Sequence, residues 1–290
     1  MPRVVDNQPL SDLVWKMRVA VPRLVAKAKA GQFVIIRVND RGERVPMSIA
    51  GLDRANGLLT IIYQVVGKTS ALMTSVPAGG EISDCVGPLG LPSHAEKWGT
   101  ACVIGGGIGI APIYPIAQAY KEAGNKLHTI IGARNKSLLF YEYEHRAVAD
   151  QLHVCTDDGS YGHHGFVSDV LKKLLDGGEK IDMVMAIGPV PMMRVVTNLT
   201  KGYGVPTWVS LNPLMVDGTG MCGGCRVRIG DETKFACVDG PDFDGHKVDF
   251  ALLSSRLSAY KEQEQAAMKR LLEDPQCRLT QAVKAFQYPD

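Results

Sequence analysis

Between about residue 98 and residue 210 the chain alternates between short apolar runs and segments of helical period. This alternation limits the fold more than any other feature. The runs TACVIGGG, KLHTIIGAR, QLHVCTDDG, KIDMVMAIGP and PTWVSLN are separated by IAPIYPIAQAYKEAG, SLLFYEYEHRAVAD, FVSDVLKKLLDGG and PMMRVVTNLTKGYG. A strand covered on both faces reads as an unbroken apolar run, and parallel neighbours need a helical crossover between them. The pattern therefore predicts a doubly wound parallel sheet over 98–210. Residues 1–97 read differently. LVWKMRVAV, QFVIIRV and LLTIIYQVV are rich in Val and Ile, with turn chemistry at Gly31, Asp40-Arg41-Gly42 and Asn56-Gly57. They predict a small antiparallel barrel, with a sandwich as the alternative. A short glycine-rich segment occupies about 211–250. A helical tail follows over 251–290, with Leu253, Leu257, Tyr260, Ala267 and Leu271 near helical spacing, Pro275 as a breaker and a second helix over LTQAVKAF. Its stripe reads as a packing or subunit-docking face.

Ligands of open α/β sheets bind beyond the carboxyl ends of the strands. The first such end carries Gly105, Gly107, Gly109 and Pro112, where a strand turns into a helix. Glycines there admit a phosphate to free N–H groups at the helix start. The spacing departs from the usual dinucleotide fingerprint, because Ile110 stands where the third glycine belongs, and tight packing of helix on strand is the competing explanation. Arg134, Asp157, Gly188 and Pro189 follow the other buried strands. Arg134 suits a phosphate, a ribose or a salt bridge with Glu142 or Glu144. In the N-terminal part, Arg44, Pro46 and Ser48 alternate onto one face of a strand, suited to a phosphate and a flavin edge. Gly67, Lys68, Thr69 and Ser70 form a second phosphate-type loop, and Tyr63 precedes it.

The 290 residues include 32 Lys plus Arg and 30 Asp plus Glu, a net charge of +2, which leaves no footprint for general nucleic-acid binding. The stretch from Trp98 to Tyr120 lacks charge, but its glycines and prolines favour strand, loop and helix over a membrane span. The N-terminus has no apolar signal-peptide core, so a cytoplasmic protein is expected. Seven cysteines, an odd number in a long chain, argue against a disulfide framework. Cys222, Cys225 and Cys237 lie within 16 residues, and Cys-x2-Cys spacing suits zinc or an iron–sulfur cluster. His163 and His164 lack partners at matching ligand spacing.

RVPMSI, VGPLGLP, GGGIGIAPIYPIA and AIGPVPMM occur in an order that resembles the ferredoxin–NADP reductase superfamily. The resemblance implies FAD on the barrel and a nicotinamide nucleotide on the α/β domain. The cysteine segment resembles the branch that holds the electron-transfer subunit of dihydroorotate dehydrogenase. There the pattern Cys-x4-Cys-x2-Cys-x(11–14)-Cys ligates a two-iron two-sulfur cluster. This chain keeps the spacings but has Asp217 at the first position. Either the cluster is defective or a carboxylate is a ligand; Cys277 is a more distant candidate. An aspartate with three cysteines resembles the small subunit of NADH-dependent reduced ferredoxin:NADP+ oxidoreductase. That resemblance implies NAD(H) as substrate and ligands Asp217, Cys222, Cys225 and Cys237. It also implies electron bifurcation with a larger subunit carrying FAD and four-iron clusters, through which ferredoxin reacts. The alternatives are the electron-transfer subunit of a dihydroorotate or sulfide dehydrogenase, or a zinc-binding regulator without enzymatic activity.

Overall fold

The computed structural model describes residues 1–273 apart from position 12. The elements in the first part of the chain are β1 (Arg3–Pro9), β2 (Val14–Ala20), α1 (Pro22–Lys27), β3 (Phe33–Arg37), β4 (Val45–Ser48), β5 (Gly51–Asp53), β6 (Leu58–Gln64), α2 (Lys68–Thr74) and β7 (Asp84–Leu89). They form two antiparallel sheets, ordered β1-β2-β6-β5 and β4-β3-β7. The arrangement is barrel-like, but among the described residues no ladder joins the two sheets into a closed barrel. β3 has two employments. Val34 and Ile36 pack into the barrel core, whereas Phe33 and Ile35 join the core shared with the α/β sheet and the cysteine segment. Alternation along a strand produces that division.

The α/β part runs β8 (Thr100–Gly106), α3 (Ile110–Glu122), β9 (Lys126–Ala133), α4 (Glu142–Val148), β10 (Gln151–Thr156), β11 (His163–His164), α5 (Val167–Asp176), β12 (Met183–Ile187), α6 (Val190–Tyr203) and β13 (Thr207–Ser210). The charge-free stretch is thus strand, turn and helix, and no helix among the described residues is long and apolar enough to cross a membrane. The sheet order is β11-β10-β9-β8-β12-β13, all parallel, so the order reverses at β8. Local signals set the helix ends. Asp169 Oδ2 accepts the Phe166 N–H at 2.8 Å before α5, and Gly204 takes a left-handed conformation, φ +67°, after α6.

The remaining elements are β14 (Arg226–Ile229), β15 (Glu232–Phe235), α7 (Ala236–Asp239), β16 (Asp242–Asp244), α8 (Phe250–Leu257) and α9 (Lys261–Glu273). The cysteine segment is not free-standing: β16 adds an antiparallel edge strand beside β13. Cys225, Val227, Ala236 and Cys237 share a core with β8 and β12. The tail departs from the expected single stripe. A turn at 258–260 splits it, leaving Leu257 and Tyr260 exposed, while Met268 of α9 is buried in the barrel core beside Leu271. Pro275, Cys277 and the helix expected over LTQAVKAF lie outside the described residues.

Candidate functional site

The carboxyl ends of β8, β9, β10 and β12 bring Gly107, Arg134, Asp157, Gly188 and Pro189 to one edge of the sheet. The glycines of the first turn divide by role. A Cβ at Gly105 would stand 2.8 Å from Ile113 Cγ2, one at Gly106 2.2 Å from Met192 Sδ, and one at Gly109 2.1 Å from the Ile187 carbonyl oxygen. These glycines let helix and strands close up, so packing explains Gly105 and Gly109. Gly107 differs: its φ is +54° and a Cβ there would meet nothing within 4 Å. It faces open space at the head of α3, as an approaching phosphate requires. Pro112 stands in the first turn of α3, where a missing N–H costs nothing.

Arg134 is exposed, and among the described residues no carboxylate lies within salt-bridge distance of it. Glu142 is taken by Arg146 at 2.7 Å. Asp157 is held above the ordinary carboxylate range by desolvation, against which the nearby Arg134 charge acts. The sequence reading missed Lys136, Ser160 and Tyr161 beside this edge. Ser160 Oγ accepts the Lys136 N–H at 2.9 Å, and Lys136 Nζ lies 5.1 Å from the Tyr161 ring centre. Their separation in sequence carries no local signal.

In the barrel, Pro46 and Ser48 pair with Ile35 and Phe33. They lie on the face of β4 opposite Val45 and Met47, which pack into the barrel core. Gly67 precedes α2, and Ser70 Oγ accepts the Val66 and Gly67 N–H groups at 3.0 and 3.1 Å. Thr69 Oγ1 donates to Glu43 Oε2 at 2.8 Å, and Lys68 Nζ stands 3.9 Å from Glu43 Oε1. Glu43 is a further residue that pattern reading passed over. Two expectations need correction. Tyr63 is 2% exposed in the barrel core, and its hydroxyl donates to Asn7 Oδ1 at 3.0 Å, so its ring is core packing rather than a cofactor contact. The Arg44 Nε–H donates to the Val216 carbonyl at 2.8 Å, and Nη1 stands 3.8 Å from Asp84 Oδ2. Arg44 therefore bridges to the cysteine loop instead of pointing at the loop of Gly67.

That loop turns through Gly218, Gly220 and Gly223, with φ of +77°, +84° and +65°. Gly218 lies against β7 and β3, where a Cβ would sit 2.5 Å from Leu89 Cδ1. Cys225 and Cys237 are buried, their sulfur atoms 3.1 Å apart. Burial pushes the Cys237 thiol up to about 12, with Cys225 adding to the effect, so a thiolate there needs a cation. Cys222 is exposed, and its sulfur accepts the Gly224 N–H at 3.5 Å. Asp217 accepts the Thr219 N–H at 2.9 Å and the Cys222 N–H at 2.8 Å. Those bonds, the Thr219 one foremost, hold its carboxyl below the usual range. Among the described residues, no three His, Cys, Asp or Glu side chains stand close enough to hold a single metal ion. The donor set nonetheless suits an iron–sulfur cluster: two sulfurs in contact, a third at the rim, an ionised carboxylate beside it and glycine amides between them.

Comparison with known proteins agrees with this reading. Residues 212–249 match the family model of the iron–sulfur cluster binding domain of dihydroorotate dehydrogenase B, and residues 103–198 match that of the oxidoreductase NAD-binding domain. The chain is 45% identical over 269 residues to a dihydroorotate dehydrogenase B electron transfer subunit homolog of Thermotoga maritima, covering 93% of this chain and 95% of that one. It is 36% identical to the electron transfer subunit of dihydroorotate dehydrogenase B from Fusobacterium nucleatum, covering 82% and 93%. Among solved structures it superposes on a chain of NADH-dependent reduced ferredoxin–NADP oxidoreductase with a TM-score of 0.89 and 43% identity, covering 94% and 98%. FAD, a two-iron cluster and NAD(H), the set expected from the sequence, are consistent with these matches. The chain belongs to the oxidoreductase family of dihydroorotate dehydrogenase B electron-transfer subunits and their homologues.

Proposed function

We propose that the chain is the small subunit of an electron-bifurcating NADH-dependent reduced ferredoxin:NADP+ oxidoreductase. It exchanges electrons with NAD(H) and relays them to a larger subunit that carries a second FAD and four-iron clusters and reacts with ferredoxin. The observation that carries this reading is Asp217 with Cys222, Cys225 and Cys237, placed in a chain 43% identical to one in a bifurcating complex. FAD on the barrel would interconvert two-electron and one-electron transfer. Around it the chain's own residues divide the work. Pro46, Ser48 and the loop Gly67, Lys68, Thr69 and Ser70 hold the flavin. Gly107 and the head of α3 admit the nucleotide phosphates. Arg134, Asp157, Gly188 and Pro189 line the rest of the nucleotide, and NADH is the preferred form.

The family matches favour a second reading, an electron-transfer subunit serving a dihydroorotate dehydrogenase. Purification with the native partner separates the two. Bifurcation predicts a partner rich in four-iron clusters and NADH-dependent ferredoxin–NADP chemistry. The alternative predicts a flavoprotein that oxidises dihydroorotate. Within the chain, Asp217→Cys should keep a two-iron cluster with a lower potential, and Asp217→Ala should lose iron or change the paramagnetic resonance spectrum. Unchanged iron content, spectrum and potential in both variants would remove Asp217 from the ligand set.

A further inference from the structure

Arg44 lies immediately before β4, yet its guanidinium is spent on a segment 172 positions away. The Nε–H donates to the carbonyl of Val216, the residue before Asp217, and Nη1 stands 3.8 Å from Asp84 Oδ2 at the start of β7. Asp84 is itself held by Arg37 Nε at 2.6 Å, which pairs across β3 and β7. The anchor is therefore built into the sheet. A second contact fixes the same loop to the same sheet: Gly218 sits so close to Leu89 and Ile35 that no side chain fits between them. The stretch Val216–Gly218 is thus pinned by a charged hydrogen bond at one end and by packing at the other, with Asp217 in the middle.

We infer that Arg44 is a positioning residue for the iron–sulfur centre: it fixes the Asp217 loop against the barrel and places a positive charge beside the cluster. This rests on the proposed presence of the cluster. The side chain is about one-third exposed, so its charge is only partly screened. A cation near a cluster favours the reduced, more negative state, and hydrogen bonds around the ligands tune the potential further. Arg44 then acts through the loop, not as a ligand of flavin phosphate.

The test uses the full chain with its cofactors loaded, and reads FAD content, cluster midpoint potential and paramagnetic resonance spectrum. Arg44→Met should keep one FAD per chain, shift the cluster potential to more negative values and alter the spectrum. Arg44→Lys, which restores the charge, should recover most of the potential. Asp84→Asn removes the facing negative charge and should shift the potential the opposite way; it also keeps the question open to test if Arg44→Met does not fold. Unshifted potentials and spectra in the cluster-loaded variants would overturn the inference. So would loss of FAD from Arg44→Met with the remaining clusters unchanged, which would make Arg44 a flavin ligand. An unmodified protein without any iron–sulfur signal would instead sink the functional reading itself.

Discussion

The turn after β8 and the loop around Cys222 are the two glycine-dense stretches at the candidate sites, and they use glycine differently. In the first, Gly105, Gly106 and Gly109 occupy ordinary backbone conformations, and the missing Cβ is what matters: Ile113, Met192 and the Ile187 carbonyl fill the space. Gly107 alone combines a positive φ with open surroundings. In the second, Gly218, Gly220 and Gly223 all have positive φ, and the sign of the dihedral bends the chain around its sulfur atoms. The first pattern is mainly a packing device; the second bends the chain, and at Gly218 it also lets the loop close on Leu89 and Ile35. A count of glycines cannot separate them.

The sharpest way to break this comparison is Gly109→Ala. A Cβ 2.1 Å from a backbone oxygen cannot be relieved by a side-chain shift. The variant should lose more than about 4 kcal/mol, seen as failure to fold or a collapsed melting temperature. A Gly109→Ala protein that melts like the parent would show that the turn is looser than described. The next effect depends on pH. His145 is buried, and its ring nitrogen Nε2 lies 3.0 Å from the carbonyl of Ile110 at the head of α3. Burial lowers its pKa to about 4, although the hydrogen bond to Ile110 opposes the shift. The unfolded chain therefore takes up a proton first as pH falls. The stability due to neutral His145 is complete above about pH 6.5 and is lost progressively toward pH 4, at most about 3 kcal/mol. Denaturant titrations across that range should show a shallower acid decline in His145→Gln than in the parent.

Gly218→Ala comes next. A left-handed φ and a clash with the Leu89 side chain should together cost about 2 kcal/mol. The loss should appear chiefly as lower iron content, with nucleotide binding intact. Gly107→Ala should be mildest in stability, about 1 kcal/mol. Yet it should weaken NADH binding at least several-fold while FAD stays bound, measured by flavin reduction and by direct titration. Equal NADH affinity in this variant would make the whole turn a packing device and erase the difference between its glycines.

Much of this was legible because burial writes itself into sequence. β8, β9 and β12 are covered on both faces, so TACVIGGG, KLHTIIGA and MVMAI are continuous apolar runs. The Cys222–Cys225 spacing was legible because two donors on one short loop suit one metal group, whereas Cys237 meets Cys225 only across the hairpin of β14 and β15. What stayed hidden depends on contacts distant in sequence or on elements too short for periodicity. α1 and α2 have six and seven residues, fewer than two turns, inside what reads as all β. Tyr63 and Met17 are both buried in one core, and nothing local marks Tyr63 as core rather than ligand. Arg44 looked like a phosphate ligand because its actual partner, Val216, is a carbonyl, and any residue type supplies one. The tail's single stripe failed at the turn of 258–260, which redirects α9 so that Met268, not Leu257, reaches the core.

β16 gives the order of synthesis a structural meaning. Without it, β13 would end the parallel sheet with a row of unpaired amides and carbonyls, the kind of border on which other chains nucleate. The strand that covers that border comes from residues 242–244, beyond the cysteines. On the ribosome, therefore, the sheet keeps an adhesive margin until most of the chain has emerged. Once the segment around Cys222 and Cys237 has been made and folded back, the border of β13 is paired and a strand of only three residues, β16, takes its place at that edge.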